Sequence, residues 1–266
     1  MMKVRAPAKL ILSGEHAIVH GQPALAMAIN RYVTATVSQD KHAQILFELA
    51  DLAYQQRLSF QTLRLLKSKI KRKYQRFKQG DFSIRQVLHK PVELIQYALS
   101  MMVSGDIHLP SGAKIHLQSD IPIGCGLGSS AATILSVIYA TANFLKYPLT
   151  QEALFQLALE AENMQHGYSS GLDLRIISRG GCWLVHGQEL RQRPLPKTQF
   201  YLVNTGTPQT TTGECVETVA HYFKDIKLQE EFAAVTLAMD ASLDSQVGFT
   251  AAVKACLLYT SDAADE

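Results

Sequence analysis

Residues 121–132 read IPIGCGLGSSAA, with Gly124, Gly126 and Gly128 at every second position and two serines and two alanines behind them. Glycine lets the main chain turn tightly and lets a ligand approach it without meeting a Cβ. Serine is a favoured helix cap, and SSAATILSVIYATANFL continues as an apolar helix. A glycine loop feeding a helix start gathers unpaired N–H groups and the positive end of the helix dipole in one place. The stretch therefore predicts an anion site, with phosphate the natural occupant. A plain tight connection is the competing reading. Two known phosphate loops are excluded: no lysine follows the glycines as a P-loop requires, and Ser129 stands where a dinucleotide fingerprint needs its third glycine.

Composition sets the frame around this loop. The chain has 266 residues, 47% of them hydrophobic and 18% charged, which suits one large domain or two modest ones. A net charge of +3 does not by itself argue for a nucleic-acid partner. Cys125, Cys182, Cys215 and Cys256 are scattered, so free thiols in a reducing compartment are expected. No apolar run is long enough to span a bilayer and the N-terminus lacks a signal-peptide core, so a cytoplasmic chain is expected.

Periodicity predicts the elements. KVRAPAKLILSGEH (3–16) reads as a strand turning at Ser13-Gly14, and residues 23–40 and 43–51 suit further strands. Residues 61–79 form a helix pattern with eight basic residues and no acid, read as a flank over a polyanionic ligand in preference to an RNA-binding arm. A second helix runs through Pro91, placed at its first turn, and AKIHLQSD (113–120) alternates as a strand into the glycine loop. Thr150 caps a helix over 151–166. DLRIISRGGCWLVHG (173–187) and TQFYLVNTG (198–206) read as strands, and the remainder as mostly helical. RQRPLPKTQ marks a boundary, giving domains at 1–190 and 191–255. CLLYTSDAADE (256–266) looks like a translated sequencing adapter and is read as a non-native tail.

Three patterns compete for the chemistry. GYSSG (167–171) matches the nucleophile elbow of serine hydrolases, with Ser169 as nucleophile and His221 and Asp225 or Asp240 downstream. The elbow needs a strand before the serine, and the sequence offers a helix there. His16 and His20 lie four apart after Glu15, but the zinc-protease order places glutamate after the first histidine. The third is dispersed: Lys9, Ser129 and Ser130, Glu162 and Asp173. A lysine, an acid for magnesium and a second acid near a phosphate-binding helix start are the parts phosphoryl transfer requires.

These stretches together resemble the GHMP kinase superfamily. Residues 6–29 resemble its first motif, 121–132 its second, 160–174 its substrate and catalytic segment, and 201–211 the strand and turn after the domain junction. The resemblance implies an α+β, two-domain fold: an N-terminal α/β sandwich domain, then a C-terminal α+β domain that is truncated here, since the third glycine-rich motif is missing. It implies ATP-dependent phosphorylation of a small alcohol, mevalonate foremost, with Mg2+. Phosphomevalonate, galactose or homoserine kinases and a non-catalytic ligand-binding relative are the alternatives. In this resemblance Asp173 is general base and Lys9 stabilises the developing alkoxide. Pro122, Gly124, Gly126, Leu127, Gly128, Ser129 and Ser130 cradle ATP. Ser130 and Glu162 hold magnesium, and Glu15, His16 and His20 line the alcohol pocket. The implied partner is a small molecule, without nucleic acid or membrane, and a homodimer is compatible with the family. Tyr168, Ser169 and Leu174 depart from the family pattern of Asn-Pro before Ser-Gly and Asn after the aspartate.

Overall fold

The structure is a computed structural model that describes residues 1–15, 17–81, 83–103, 112–122, 124–203, 218, 220 and 222–265, with side chains to residue 256. Its contacts divide the chain into two compact units. One comprises Met1–Ala8, Asn30–Ile123 and Leu127–Ser178, the other Lys9–Ile29, Gly124–Gly126 and Arg179–Glu266. The fold is mixed α+β, as the motifs imply.

In the first unit the sheet order is β4-β3-β5-β2, with strands β2 (Ala24–Gln39), β3 (Ile45–Leu49), β4 (Tyr54–Leu58) and β5 (Ala113–Ser119); β1 (Met2–Ser13) pairs with β2. β3 runs parallel to β5, and the β2–β5 and β3–β4 pairs are antiparallel. Period-two alternation puts Val33, Ala35 and Val37 on the buried face beside Ile45, Phe47 and Leu49 and Ala113, Ile115 and Leu117. The register aligns them, Val37 opposite Ile115 and Phe47 beside it, so one apolar stripe crosses three strands.

The helices of this unit are α1 (Phe60–Lys78), α2 (Pro91–Met102), α3 (Ser129–Phe144), α4 (Gln151–His166) and α5 (Leu172–Arg179). Ser59 caps α1 by accepting the Thr62 N–H at 3.0 Å, and Thr150 caps α4 by accepting the Ala153 N–H at 3.1 Å. Pro91 opens α2, where its missing N–H costs nothing, and the Glu93 carboxylate accepts the His89 N–H at 2.6 Å. α2 is buried from Leu94 to its end and packs against α1, α3 and α4. Helix α5 corrects the expected strand at 173–179. Leu172, Leu174 and Ile176 alternate, but Leu172 and Ile176 also stand four apart, and Ser170 accepts the Leu172 N–H at 3.3 Å to start the helix. So short an apolar run fits both periods, and the folded chain closes it as a helix, with the Arg175 N–H on the Gly171 carbonyl at 3.0 Å.

In the second unit Ala24–Met27 of β2 pair with β6 (Cys182–His186), which forms a two-residue hairpin with β7 (Glu189–Arg193). Helices α6 (Ile226–Ala241) and α7 (Gln246–Asp265) follow. Leu25, Met27, Cys182, Leu184, Met239, Leu243 and Phe249 form the buried cluster here. The strand expected at 198–206 is absent from its described part, residues 198–203, and the rest lies outside the described residues. Among the described residues no helix is long and apolar enough to cross a membrane.

Candidate active site

The glycine loop ends as the sequence implies but with a different cap. Gly128, at φ 73°, is the N-cap of α3, and Ser129 is the first helical residue, which corrects the expectation of a serine cap. A left-handed cap suits glycine because any other L residue meets its own carbonyl there. The first hydrogen bond of α3 runs from the Ala132 N–H to the Gly128 carbonyl at 2.9 Å, which leaves the N–H groups of residues 129–131 with no partner inside the helix. Leu127 is buried beneath this start and Ser130 is half-buried.

Helix α4 lies against α3 and brings its last turns to this point. His166 Nε2 stands 3.3 Å from Ser130 Oγ. Glu162 precedes His166 by four residues and so shares its face of α4, and it is only 3% exposed. Its Oε2 accepts a hydrogen bond from Ser169 Oγ at 2.6 Å. The 167–171 loop then delivers Asp173, half-buried, into the first turn of α5. Ser130, Glu162 and Asp173 are thus carried by the start of α3, the end of α4 and the start of α5. Helix α1 braces this loop: Tyr74 donates to the Gly167 carbonyl at 2.7 Å, and the Phe77 ring lies 5.6 Å from that of Tyr168.

Pro122 is exposed in the first unit, and the second unit carries the other predicted residues. Lys9 is 4% exposed in β1, a burial that lysine tolerates only with polar company. Glu15 is exposed just before a single 3-10 turn, Ala17–His20. His20 stacks on Phe223 with ring centroids 4.5 Å apart, and its Nε2 is buried without a hydrogen-bond partner among the described residues. His16 lies outside the described residues. Gly124 and Gly126 have φ of 77° and 70°, and a Cβ built on either would meet nothing within 4 Å. Main chain with open space on that side is what close approach of phosphate oxygens requires.

The rival chemistries lose their geometry. Ser169 follows a helix, not a strand, and its hydroxyl is given to a carboxylate rather than to a histidine. Asp225 caps α6 through the Lys227 N–H, Asp240 pairs with Arg193, and His221 lies outside the described residues. No cluster of three or more His, Cys, Asp or Glu side chains able to hold a metal occurs among the described residues. Magnesium is compatible with the donors present, because it takes one or two protein oxygens and completes its octahedron with phosphate and water. Glu162 and Ser130 are oxygen donors of that kind. His166 and the Ser169–Glu162 bond were not singled out from the sequence. The His166 signal was available in its i, i+4 spacing from Glu162.

Residues 92–181 match the GHMP kinases N terminal domain. The mevalonate kinase of Archaeoglobus fulgidus is 30% identical to it over 219 residues, 82% of this chain and 63% of that protein. The Methanocaldococcus jannaschii mevalonate kinase is 28% identical over 82% of this chain and 67% of its own length. The chain therefore spans about 63% of the Archaeoglobus relative that it matches. The crystal structure of the Methanococcus jannaschii mevalonate kinase superposes with a TM-score of 0.75 at 22% identity, covering 96% of this chain and 77% of that one. A Streptococcus pneumoniae phosphomevalonate kinase in complex with phosphomevalonate and AMPPNP shares the fold at a TM-score of 0.64 and 17% identity, over 96% of this chain and 78% of that one. The GHMP domain match runs from α2 through the glycine loop to the end of α5, the segment that holds Ser130, Glu162 and Asp173.

Proposed function

We propose that this chain is the phosphate-binding and catalytic portion of an ATP-dependent kinase that phosphorylates the hydroxyl of a small alcohol, mevalonate to 5-phosphomevalonate. The observation that carries the reading is the packing of α4 against α3, which sets His166 at the end of α4 beside Ser130, with the loop from α4 leading directly into α5. The glycine-capped helix start, whose first N–H groups have no partner within the helix, has Ser130 in its first turn; Glu162 shares the face of α4 with His166, and Asp173 opens α5.

Each residue has a task set by its chemistry. The N–H groups at the start of α3, with the helix dipole behind them, hold phosphate oxygens, and Gly124 and Gly126 let those oxygens approach main chain. Asp173 accepts the proton of the alcohol hydroxyl as its oxygen forms the new bond to phosphorus and the bond to ADP breaks. Lys9 supplies positive charge for the developing alkoxide. Ser130 and Glu162 are the oxygen donors for Mg2+, which when bound neutralises charge on the transferring phosphate. His20 offers a buried ring nitrogen still lacking a partner, suited to a substrate oxygen, and Glu15 stands at the same turn. The identity of the alcohol rests on the mevalonate kinases among the relatives.

Asp173→Asn tests this directly. With mevalonate and MgATP the variant is expected to lose phosphoryl transfer by about a hundredfold or more while keeping ATP affinity, because a general base contributes on that scale. Undiminished turnover in Asp173→Asn would remove the aspartate from the mechanism. Phosphomevalonate, galactose and homoserine in the same assay identify the acceptor.

A further inference from the structure

Ser169 lies in the loop between the proposed metal ligand and the proposed base, and it bonds to the first and to the glycine two residues before the second. Its N–H donates to Asn163 Oδ1 at 2.8 Å, which ties the loop back to α4. Its Oγ accepts the Gly171 N–H at 3.1 Å and donates to Glu162 Oε2 at 2.6 Å. A serine hydroxyl has one hydrogen. With a lone pair of Oγ taken by Gly171, that hydrogen is directed at the carboxylate, and the bond is of the short, charge-assisted kind. Glu162 is 3% exposed, so solvent does little to orient its carboxylate.

Building on the kinase reading above, we propose that Ser169 is a positioning residue. It fixes the orientation of the Glu162 carboxylate toward the metal carried by the nucleotide. Gly171 lies two residues before Asp173, so the same hydroxyl keeps the metal ligand in register with the segment carrying the base. The serine that the sequence offers as a nucleophile thus acts through its proton: it orients an acid and attacks nothing.

The test uses the full 266-residue chain and calorimetric ATP affinity, measured once with Mg2+ and once with EDTA. Ser169→Ala is expected to lower the affinity gain that Mg2+ brings by about tenfold, the scale of one hydrogen bond to a charged group. Affinity in EDTA is expected to stay unchanged, and Ser169→Thr, which keeps the hydroxyl, to restore the gain. A full Mg2+-dependent gain in Ser169→Ala overturns the proposal. Equal losses with and without metal overturn it too, because they mark a residue that only holds the loop together. Failure of Ser169→Thr to restore the gain counts against it in the same way. Glu162→Gln separates the proposal from its foundation. If Glu162→Gln abolishes the gain and Ser169→Ala does not, the positioning role alone fails. If Glu162→Gln keeps the gain, Glu162 is not the metal ligand and the kinase assignment of that residue fails with it.

Discussion

At the scale of single residues, the loop between α4 and α5 shows how a side chain's setting fixes its role. Gly167 closes α4 at φ 82° and ψ −70°, a conformation closed to L side chains, and a Cβ there would lie 2.8 Å from Phe77 Cζ. Gly167→Ala is therefore expected to cost about 1–3 kcal/mol. A thermal melt should show this as a drop of several degrees, since each kcal/mol moves a domain of this size by roughly 2–4 °C. The substitution also disturbs the carbonyl that accepts the Tyr74 hydroxyl, so the proposed phosphoryl transfer should fall more steeply than stability alone requires. An unchanged melt would mean that the loop relaxes around the new methyl group. Cys182 illustrates the opposite case, a reactive group made inert. Burial, with Asp240 nearby, pushes its thiol up to about 11, so near neutral pH it packs as a small apolar side chain in the second unit's core.

At the scale of elements, α1 is held to the helical layer by both its apolar and its charged sides. Leu63 and Ile70 are each 2% exposed and seven residues apart, the spacing of one helix face. Lys71 pairs with Glu160 of α4 at 2.7 Å, and the buried Tyr97 of α2 donates to the same carboxylate at 2.7 Å. Burial alone would raise the Glu160 carboxyl, but the hydrogen bonds from Lys71 and Tyr97, with the charges of Lys71 and Lys67, more than offset it and hold it below its usual value. A carboxyl lowered in the folded state adds stability above its unfolded value and loses it as pH falls through the folded one. Glu160→Gln should therefore cost about 1 kcal/mol at pH 7 by denaturant titration. Most of that comes from the Tyr97 bond, because the half-exposed Lys71 pair is screened by solvent. The gap between variant and parent should close as pH drops below the ordinary carboxylate range. A gap that stays constant into acid would show that charge plays no part in it.

At the scale of the whole molecule, the basic character of α1 belongs to the fold more than to a partner. Lys67 reaches the Ser100 carbonyl at 3.4 Å, and Lys73 the Gln86 carbonyl at 3.0 Å. Arg76 lies near Asp81, and Lys78 lies 5.4 Å over the Tyr74 ring. With these cations engaged and a net charge of +3, single-stranded RNA is expected to bind weakly, without the steep salt dependence of a phosphate-tracking surface. A filter-binding titration from low to physiological salt checks this, and tight, salt-steep binding would make α1 the nucleic-acid arm that the sequence reading disfavours.

Much of this molecule could be read along the chain. The glycine loop, the long helices over 60–78 and 151–166, and the strands at 24–39 and 113–119 announce themselves through local signals. Periodicity over many residues, a proline at a first turn and a threonine cap each act within a few residues of themselves. The motifs likewise point to Ser130, Glu162 and Asp173, because the proposed phosphoryl transfer needs those functional groups whatever holds them. Other features depended on the folded chain. Helix or strand at 172–179 is not settled by a short ambiguous run, and in the folded chain the Arg175 N–H closes the first helical turn on the Gly171 carbonyl; Gly128 displaces the serine cap through its left-handed φ. The Ser169–Glu162 bond and the His166–Ser130 contact join residues from different turns and different helices, at distances set only once α3 and α4 pack. The sequence determined the elements and the chemical groups, since propensity and reactivity are local properties. The tertiary structure decided which groups meet and where each proton points, since hydrogen bonding depends on separations of a few tenths of an ångström between distant parts of the chain.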